Sequence, residues 1–257
     1  MAEAIQNNTK IIAVVGKGGV GKTSLAAAMV KVLVNRYPNK RILAIDADPA
    51  VGLSTALGVE VRGTIDDIRK AVVATVEEGN NRTALELLAE SEYRIYDAMT
   101  ECDGFVFIAV GRPESAGCYC KINNYLKAVI QLLAQNFDYV VIDGEAGIEQ
   151  INRRVMEKVT HLLLVTDTSR KGTQVIQTIH QVANELVMYE KVGVVVNRVL
   201  SEASIKLIDT GNLPVVSYIY SDQQLAETDL RGESVLALPF DTELVRGAAE
   251  VLEKMGI

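Results

Sequence analysis

Between the apolar run Ile11–Val15 and the longer apolar stretch Ser24–Val34 the chain reads Gly16-Lys17-Gly18-Gly19-Val20-Gly21-Lys22-Thr23. Four of these eight residues are glycine, so the backbone can take turns that a Cβ would forbid. IIAVV reads as a strand buried on both faces. SLAAAMVKVLV, apolar around most of its circumference, reads as a helix covering a core. A buried strand, a glycine-rich turn and a buried helix, in that order, commit the chain to an α/β architecture.

The same eight residues satisfy the spacing G-x-x-x-x-G-K-[ST], which gives the turn a chemistry. Glycines let successive N–H groups face one anion, and the helix opening near Lys22 aims the positive end of its dipole at the same point. The expected ligand is ATP or ADP, cradled by Gly16, Gly18, Gly19, Val20, Gly21, Lys22, Thr23 and Ser24. Lys22 is expected on the β- and γ-phosphates and Thr23 on Mg²⁺.

The rest of the sequence repeats the alternation. Arg41–Asp46, Gly104–Val110, Tyr139–Asp143, His161–Thr166 and Val192–Asn197 read as strands, with a weaker one at Val215–Tyr220. Helical stretches fall at Tyr125–Gln135, Thr173–Met188 and Leu244–Met255. This predicts a mostly parallel, doubly wound sheet with helices on both faces, a P-loop NTPase fold. Gly63–Met99 is more polar and is expected to form one or two surface helices around a loop. No repeat or linker interrupts residues 1–257, so a single domain is expected.

Composition narrows the partners. The hydrophobic fraction is 49% and the charged fraction 23%, and no apolar run approaches the roughly 20 residues of a membrane helix. Met1–Lys10 has no signal-peptide core, so the cytoplasm is the expected location. A net charge of -7 argues against a nucleic-acid partner and a polybasic membrane anchor.

Asp46 and Asp48 close the second strand and Asp143 closes a strongly apolar one, at the sheet edge where ligands of open α/β folds gather. An aspartate at a strand end can equally be a helix cap or a turn residue. Cys118 and Cys120 lie in the Gly/Pro-containing stretch Gly111–Cys120. Two thiolates at i and i+2 supply half of a tetrahedral site, and a two-fold axis would supply the other half. His161, His180 and Cys102 read as structural.

Lys17 adds a second lysine that a phosphate loop does not need. With it, Lys17-Gly18-Gly19-Val20-Gly21-Lys22-Thr23 resembles the deviant Walker A motif of the MinD/ParA/nitrogenase iron protein class. That resemblance implies a homodimer in which Lys17 reaches the partner's phosphates, as an arginine finger does. It also implies that Asp46-Ala47-Asp48-Pro49 is switch I, with Asp48 acting on the attacking water and Asp46 near Mg²⁺. Asp143 becomes the Walker B aspartate opening switch II. Val194–Arg198 becomes the adenine-recognition strand, with Asn197 on the adenine edge and Arg198 beside it. Tyr220 stands where the class has a proline.

Gly111-Arg112-Pro113-Glu114-Ser115-Ala116-Gly117-Cys118-Tyr119-Cys120, with Asn123-Asn124 after it, is similar to the nickel-insertion ATPases of carbon monoxide dehydrogenase (CooC-type) and acetyl-CoA synthase maturation. Asp143-Gly144-Glu145-Ala146-Gly147-Ile148-Glu149 resembles that family's switch II. The likeness implies an ATP-hydrolysing metallochaperone whose dimer interface holds Ni²⁺ or Zn²⁺ on Cys118 and Cys120. Its client would be a nickel enzyme of either kind, and Lys17, Lys22 and Asp48 its catalytic residues. The alternatives are a positioning or partition ATPase of the MinD/ParA kind, and an iron–sulfur ATP-dependent reductase.

Overall fold

The structure, a computed structural model, describes residues 9–77, 93–111, 120–144, 155 and 157–257, with main chain only at 75–77 and 120–125. Its centre is a sheet of eight strands: β1 (Lys10–Gly16), β2 (Ile42–Asp46), β3 (Thr100–Cys102), β4 (Phe105–Ala109), β5 (Tyr139–Asp143), β6 (His161–Thr166), β7 (Lys191–Val199) and β8 (Val215–Tyr220). They lie in the order β3-β4-β2-β5-β1-β6-β7-β8. Every pairing is parallel except β3 with β4.

Alternate residues of each central strand feed two separate cores. Ala13, Val15, Val140, Ile142, Leu162 and Leu164 face one side. Ile12, Val14, Val141, Leu163 and Val165 face the other. Both faces are covered, which is why these strands read as unbroken apolar runs. Helices α3 (Ile65–Glu77), α4 (Cys120–Ala134) and α5 (Arg170–Leu186) cover the first face. Helices α1 (Lys22–Arg36), α2 (Gly52–Leu57) and, further along the chain, Glu243–Met255 cover the second. Two short helices, α6 (Glu202–Ile205) and α7 (Gln223–Leu230), flank β8, so the C-terminal helix is α8. It packs directly on α1.

The sheet order splits at β1. The β1–α1–β2 crossover moves to one side, leaving room for β5 between β1 and β2. The chain then passes to β6 on the opposite flank. Such a switch opens a crevice beyond the carboxyl ends of the strands. The register puts Asp46 directly across from Asp143, and Val14 beside Asp143, at that edge.

Two expectations change. The Gly63–Met99 segment is not a purely surface insertion. Thr64 and Asp67 cap α3 reciprocally, the Asp67 N–H donating to Thr64 Oγ1 and the Thr64 N–H to Asp67 Oδ2. Ile65 and Ile68 of α3, and Ile95 and Ala98 of a helical turn over 93–98, belong to the first core. Strand β3 was not expected. It is three residues long and is closed by the Asp103-Gly104 turn, with Gly104 at φ 84°. A two-residue Asp-Gly turn is a hairpin signal. Among the described residues no helix is long and apolar enough to cross a membrane.

Candidate functional site

The glycine-rich turn follows β1 directly. Gly16, Gly19 and Gly21 have φ of 153°, 77° and 90°, angles that L side chains rarely adopt. At Gly16 a Cβ would also lie 2.0 Å from the Val165 carbonyl oxygen of β6. Gly21 is the N-cap of α1, and no side chain caps that end. A helix N-terminus without a side-chain cap is where an anion can be held. An open pocket of about 420 Å³ lies in front, lined by Gly18, Gly19, Gly21, Lys22, Thr23, Asp48 and Arg198.

The two lysines of the loop diverge. Lys22 is buried at the pocket, its Nζ donating to the Lys17 carbonyl at 3.2 Å. The Lys17 side chain does not line the pocket. It turns outward to Asp167, with Nζ 2.8 Å from Oδ2 and 3.4 Å from Ser169 Oγ. Asp167 follows β6, and Ser169 is the N-cap of α5, accepting from the Gly172 N–H. Burial pushes the Asp167 carboxyl up, but the Lys17 ammonium and the Ser169 donors outweigh it and leave it below the ordinary value.

Two carboxyls lie at the bottom of the site. Asp46 is buried and receives N–H bonds from Leu53 at 2.8 Å and Asp48 at 3.2 Å. Burial nonetheless pushes its pKa up to about 6. Asp143 is 0% exposed, and among the described residues neither of its oxygens has a hydrogen-bond partner. Burial raises its pKa to about 7, with the nearby Thr23 hydroxyl and Lys22 ammonium pulling down and Asp46 pushing up. A buried carboxylate with both oxygens unserved, beside a threonine hydroxyl and a second carboxylate, is a donor set of hard oxygens. It fits a small divalent cation such as Mg²⁺. Asp48 lines the pocket, and its Oδ1 accepts from the Ala50 N–H at 2.8 Å.

Asn197 and Arg198 sit on β7 where its register with β8 shifts between Val196 and Val199. Asn197 Nδ2 donates to the Val20 carbonyl at 2.8 Å, and Oδ1 accepts from the Arg198 N–H at 2.9 Å. Arg198 takes a left-handed φ of 58° and lines the pocket. Tyr220 ends β8 and is half-buried.

The phosphate loop, Asp46, Asp48, Asp143, Asn197 and Arg198 thus converge at one sheet edge. Cys118 lies outside the described residues, and Cys120 is described only as main chain at the start of α4. Among the described residues no cluster of three His, Cys, Asp or Glu side chains could hold a metal. His161 is buried on β6, and His180 on α5 contacts the Tyr189 hydroxyl at 2.9 Å. Cys102 is half-buried on β3. Asp167 and Ser169 were not anticipated. The available signal was an aspartate ending an apolar strand with a capping serine two residues on.

A model of the CobQ/CobB/MinD/ParA nucleotide binding domain matches residues 11–235. An uncharacterised ATP-binding protein of Methanocaldococcus jannaschii is 36% identical over 250 residues, covering 95% of this chain and 98% of the relative. The carbon monoxide dehydrogenase accessory protein CooC of Rhodospirillum rubrum is 28% identical over 210 residues, 73% of this chain and 78% of that protein. Among solved structures, the septum site-determining protein MinD of Pyrococcus horikoshii OT3, complexed with Mg-ADP, superposes with a TM-score of 0.64. Its sequence is 19% identical, and the match covers 96% of this chain and 95% of that one.

Proposed function

Because the chain belongs to the CobQ/CobB/MinD/ParA nucleotide-binding family, we propose that it is a dimerising ATPase that delivers nickel to carbon monoxide dehydrogenase or acetyl-CoA synthase. The direction of Lys17 carries the dimeric half of this reading. A loop lysine that does not line its own pocket, half-buried and held 2.8 Å from Asp167, suits a charge meant for a partner's phosphates. Each protomer binds ATP on Gly16–Thr23. Lys22 lies on the terminal phosphates, and Asp46, Asp143 and Thr23 hold Mg²⁺, as the Mg-ADP of the P. horikoshii MinD suggests. The cation would supply charge neutralisation for the terminal phosphates. Asp48, at the mouth of the pocket, orients the attacking water and takes up its proton.

The nickel half rests on the sequence of Gly111–Cys120 and on the likeness to CooC of R. rubrum. Cys118 and Cys120 of two protomers bind Ni²⁺ or Zn²⁺ as cargo across the two-fold axis. The route from nucleotide to cargo runs through backbone. The Val110 N–H donates to the Asp46 carbonyl at 2.8 Å, and Gly111 follows. A change at switch I therefore pulls on the stretch that leads to Cys118.

Metal content and oligomeric state, measured with ADP and with a non-hydrolysable ATP analogue, test this reading. We expect a dimer with the analogue, carrying one metal ion per pair. Replacing both Cys118 and Cys120 by alanine is expected to abolish the metal and to spare nucleotide binding. Unchanged metal stoichiometry in that double variant would refute the cargo site. A MinD-like positioning role is the alternative reading, which the likeness to the septum site-determining protein MinD of Bacillus subtilis, 26% identical over 194 residues, supports equally. Helix α8 buries Leu244, Val245, Ala248, Val251, Leu252 and Met255 in the second core, so its apolar face is not offered to a membrane.

A further inference from the structure

Asn197 is expected to read the adenine edge, and its side chain already makes contacts within the chain that need no base. It is only 5% exposed. One of the two Nδ2 protons goes to the Val20 carbonyl at 2.8 Å, across 177 residues of sequence. The acceptor end takes the Arg198 N–H at 2.9 Å. Nδ2 also lies where a Cβ on Gly21 would sit, 2.6 Å from it. One side chain therefore touches the residue before the N-cap of α1, the N-cap glycine itself, and the strained residue that lines the pocket opposite.

From these contacts we infer that Asn197 is a positioning residue of the phosphate loop, holding Val20 and Gly21 so that their N–H groups are set for a triphosphate before any base arrives. The physical reason is the carbonyl of Val20. In a tight glycine turn this acceptor points away from the anion, and buried without a partner it would swing the peptide toward water. The amide of Asn197 satisfies it from β7 and so fixes the plane of the Val20–Gly21 peptide. The shift in register between Val196 and Val199 brings Asn197 out of the ladder to reach the loop. The ligand class implied for this contact is any linear polyphosphate, whether or not it carries a nucleoside.

This inference rests on the reading of Gly16–Thr23 as a phosphate site, and its test separates the two. Affinity is measured for Mg·ATP and for inorganic tripolyphosphate in wild type, Asn197→Leu and Asn197→Ala. A positioning role predicts that both ligands weaken by the same factor, on the order of tenfold for one buried hydrogen bond left unmade. If ATP weakens and tripolyphosphate does not, Asn197 is a base contact and the inference is overturned. Lys22→Ala serves as the control for the site itself. Should tripolyphosphate bind that variant as well as wild type, the phosphate-site reading fails, whatever Asn197 does. Amide hydrogen exchange in the nucleotide-free protein provides a second readout that needs no ligand. Asn197→Leu is expected to speed exchange at Gly21–Thr23 about tenfold while leaving β1 and β6 unchanged. Loss of protection throughout the sheet would instead mark a general folding defect and count against a positioning role.

Discussion

His161 titrates out of its ordinary range because of where β6 puts it. It is 1% exposed, with Nε2 3.2 Å from the Met255 carbonyl, a contact that only a protonated Nε2 can make. Burial drives its pKa down to about 4. A histidine whose folded pKa is depressed stabilises the protein above its unfolded value near 6.5. That stability is lost as pH falls from there toward 4, with a slope of up to about 1.4 kcal/mol per pH unit. His161→Gln, which does not titrate, is expected to flatten the dependence of urea midpoint on pH across that window. Asp46 and Asp143 have the opposite sign. Their pKa values are raised to about 6 and about 7, so their burial favours the free protein at low pH and penalises it as pH climbs through those values. A bound divalent cation would drive both to the ionised form and outweigh the phosphate charge it carries with it. Calorimetric titration with Mg·ATP at pH 6.5, in buffers of different ionisation enthalpy, is expected to show net proton release. The release should disappear by about pH 8.5 and shrink in Asp143→Asn.

At the scale of elements, α8 is held close to β8 by a glycine. A Cβ on Gly247 would come within 2.5 Å of Ile219 Cγ1, a fully buried side chain. Gly247→Val should therefore cost about 2–3 kcal/mol, since overpacking outweighs the small gain in helix propensity. The readout is the urea midpoint, with the slope unchanged. The elements themselves were mostly legible. Strands β1, β2, β5, β6 and β7 are covered on both faces, so their sequences are continuous apolar runs that only a buried strand explains. Helix α1 begins at Lys22, as the phosphate-loop spacing indicates, two residues before its apolar run, because Lys22 and Thr23 serve the pocket. Strand β3 has one partner and three residues, too short for any period. The charged middle of Gly63–Met99 masked Ile65, Ile68 and Ile95, which lie on its two ends. Site residues followed a similar rule. Those announced by local spacing, from Gly16 to Thr23 and at Asp46, Asp48 and Asp143, could be read directly. The partners of Lys17 and Asn197 lie 150 and 177 residues away and exist only once the sheet has formed.

For the molecule as a whole, the proposed dimer turns on a competition for Lys17. Its ammonium can rest on Asp167 within the same chain or reach phosphate in the partner, but not both. Asp167→Asn removes the charge that holds it back. Sedimentation with a non-hydrolysable analogue should then show dimers at several-fold lower protein concentration. Lys17→Ala should bind nucleotide within a few-fold of wild type and lose at least about a hundredfold in turnover, as trans-acting cations are worth 10³–10⁵ elsewhere. A weaker dimer in Asp167→Asn would mean that Asp167 serves the closed state instead. The placement of β1 at the middle of the sheet also has a consequence for how the protein is made. The phosphate loop leaves the ribosome before β5, β6 and β7, yet β5 and β6 must flank β1, and Asn197 must reach Val20, before the loop has its shape. The loop is thus synthesised well before it becomes functional, and a nascent chain short of β7 has no finished pocket with which to capture nucleotide.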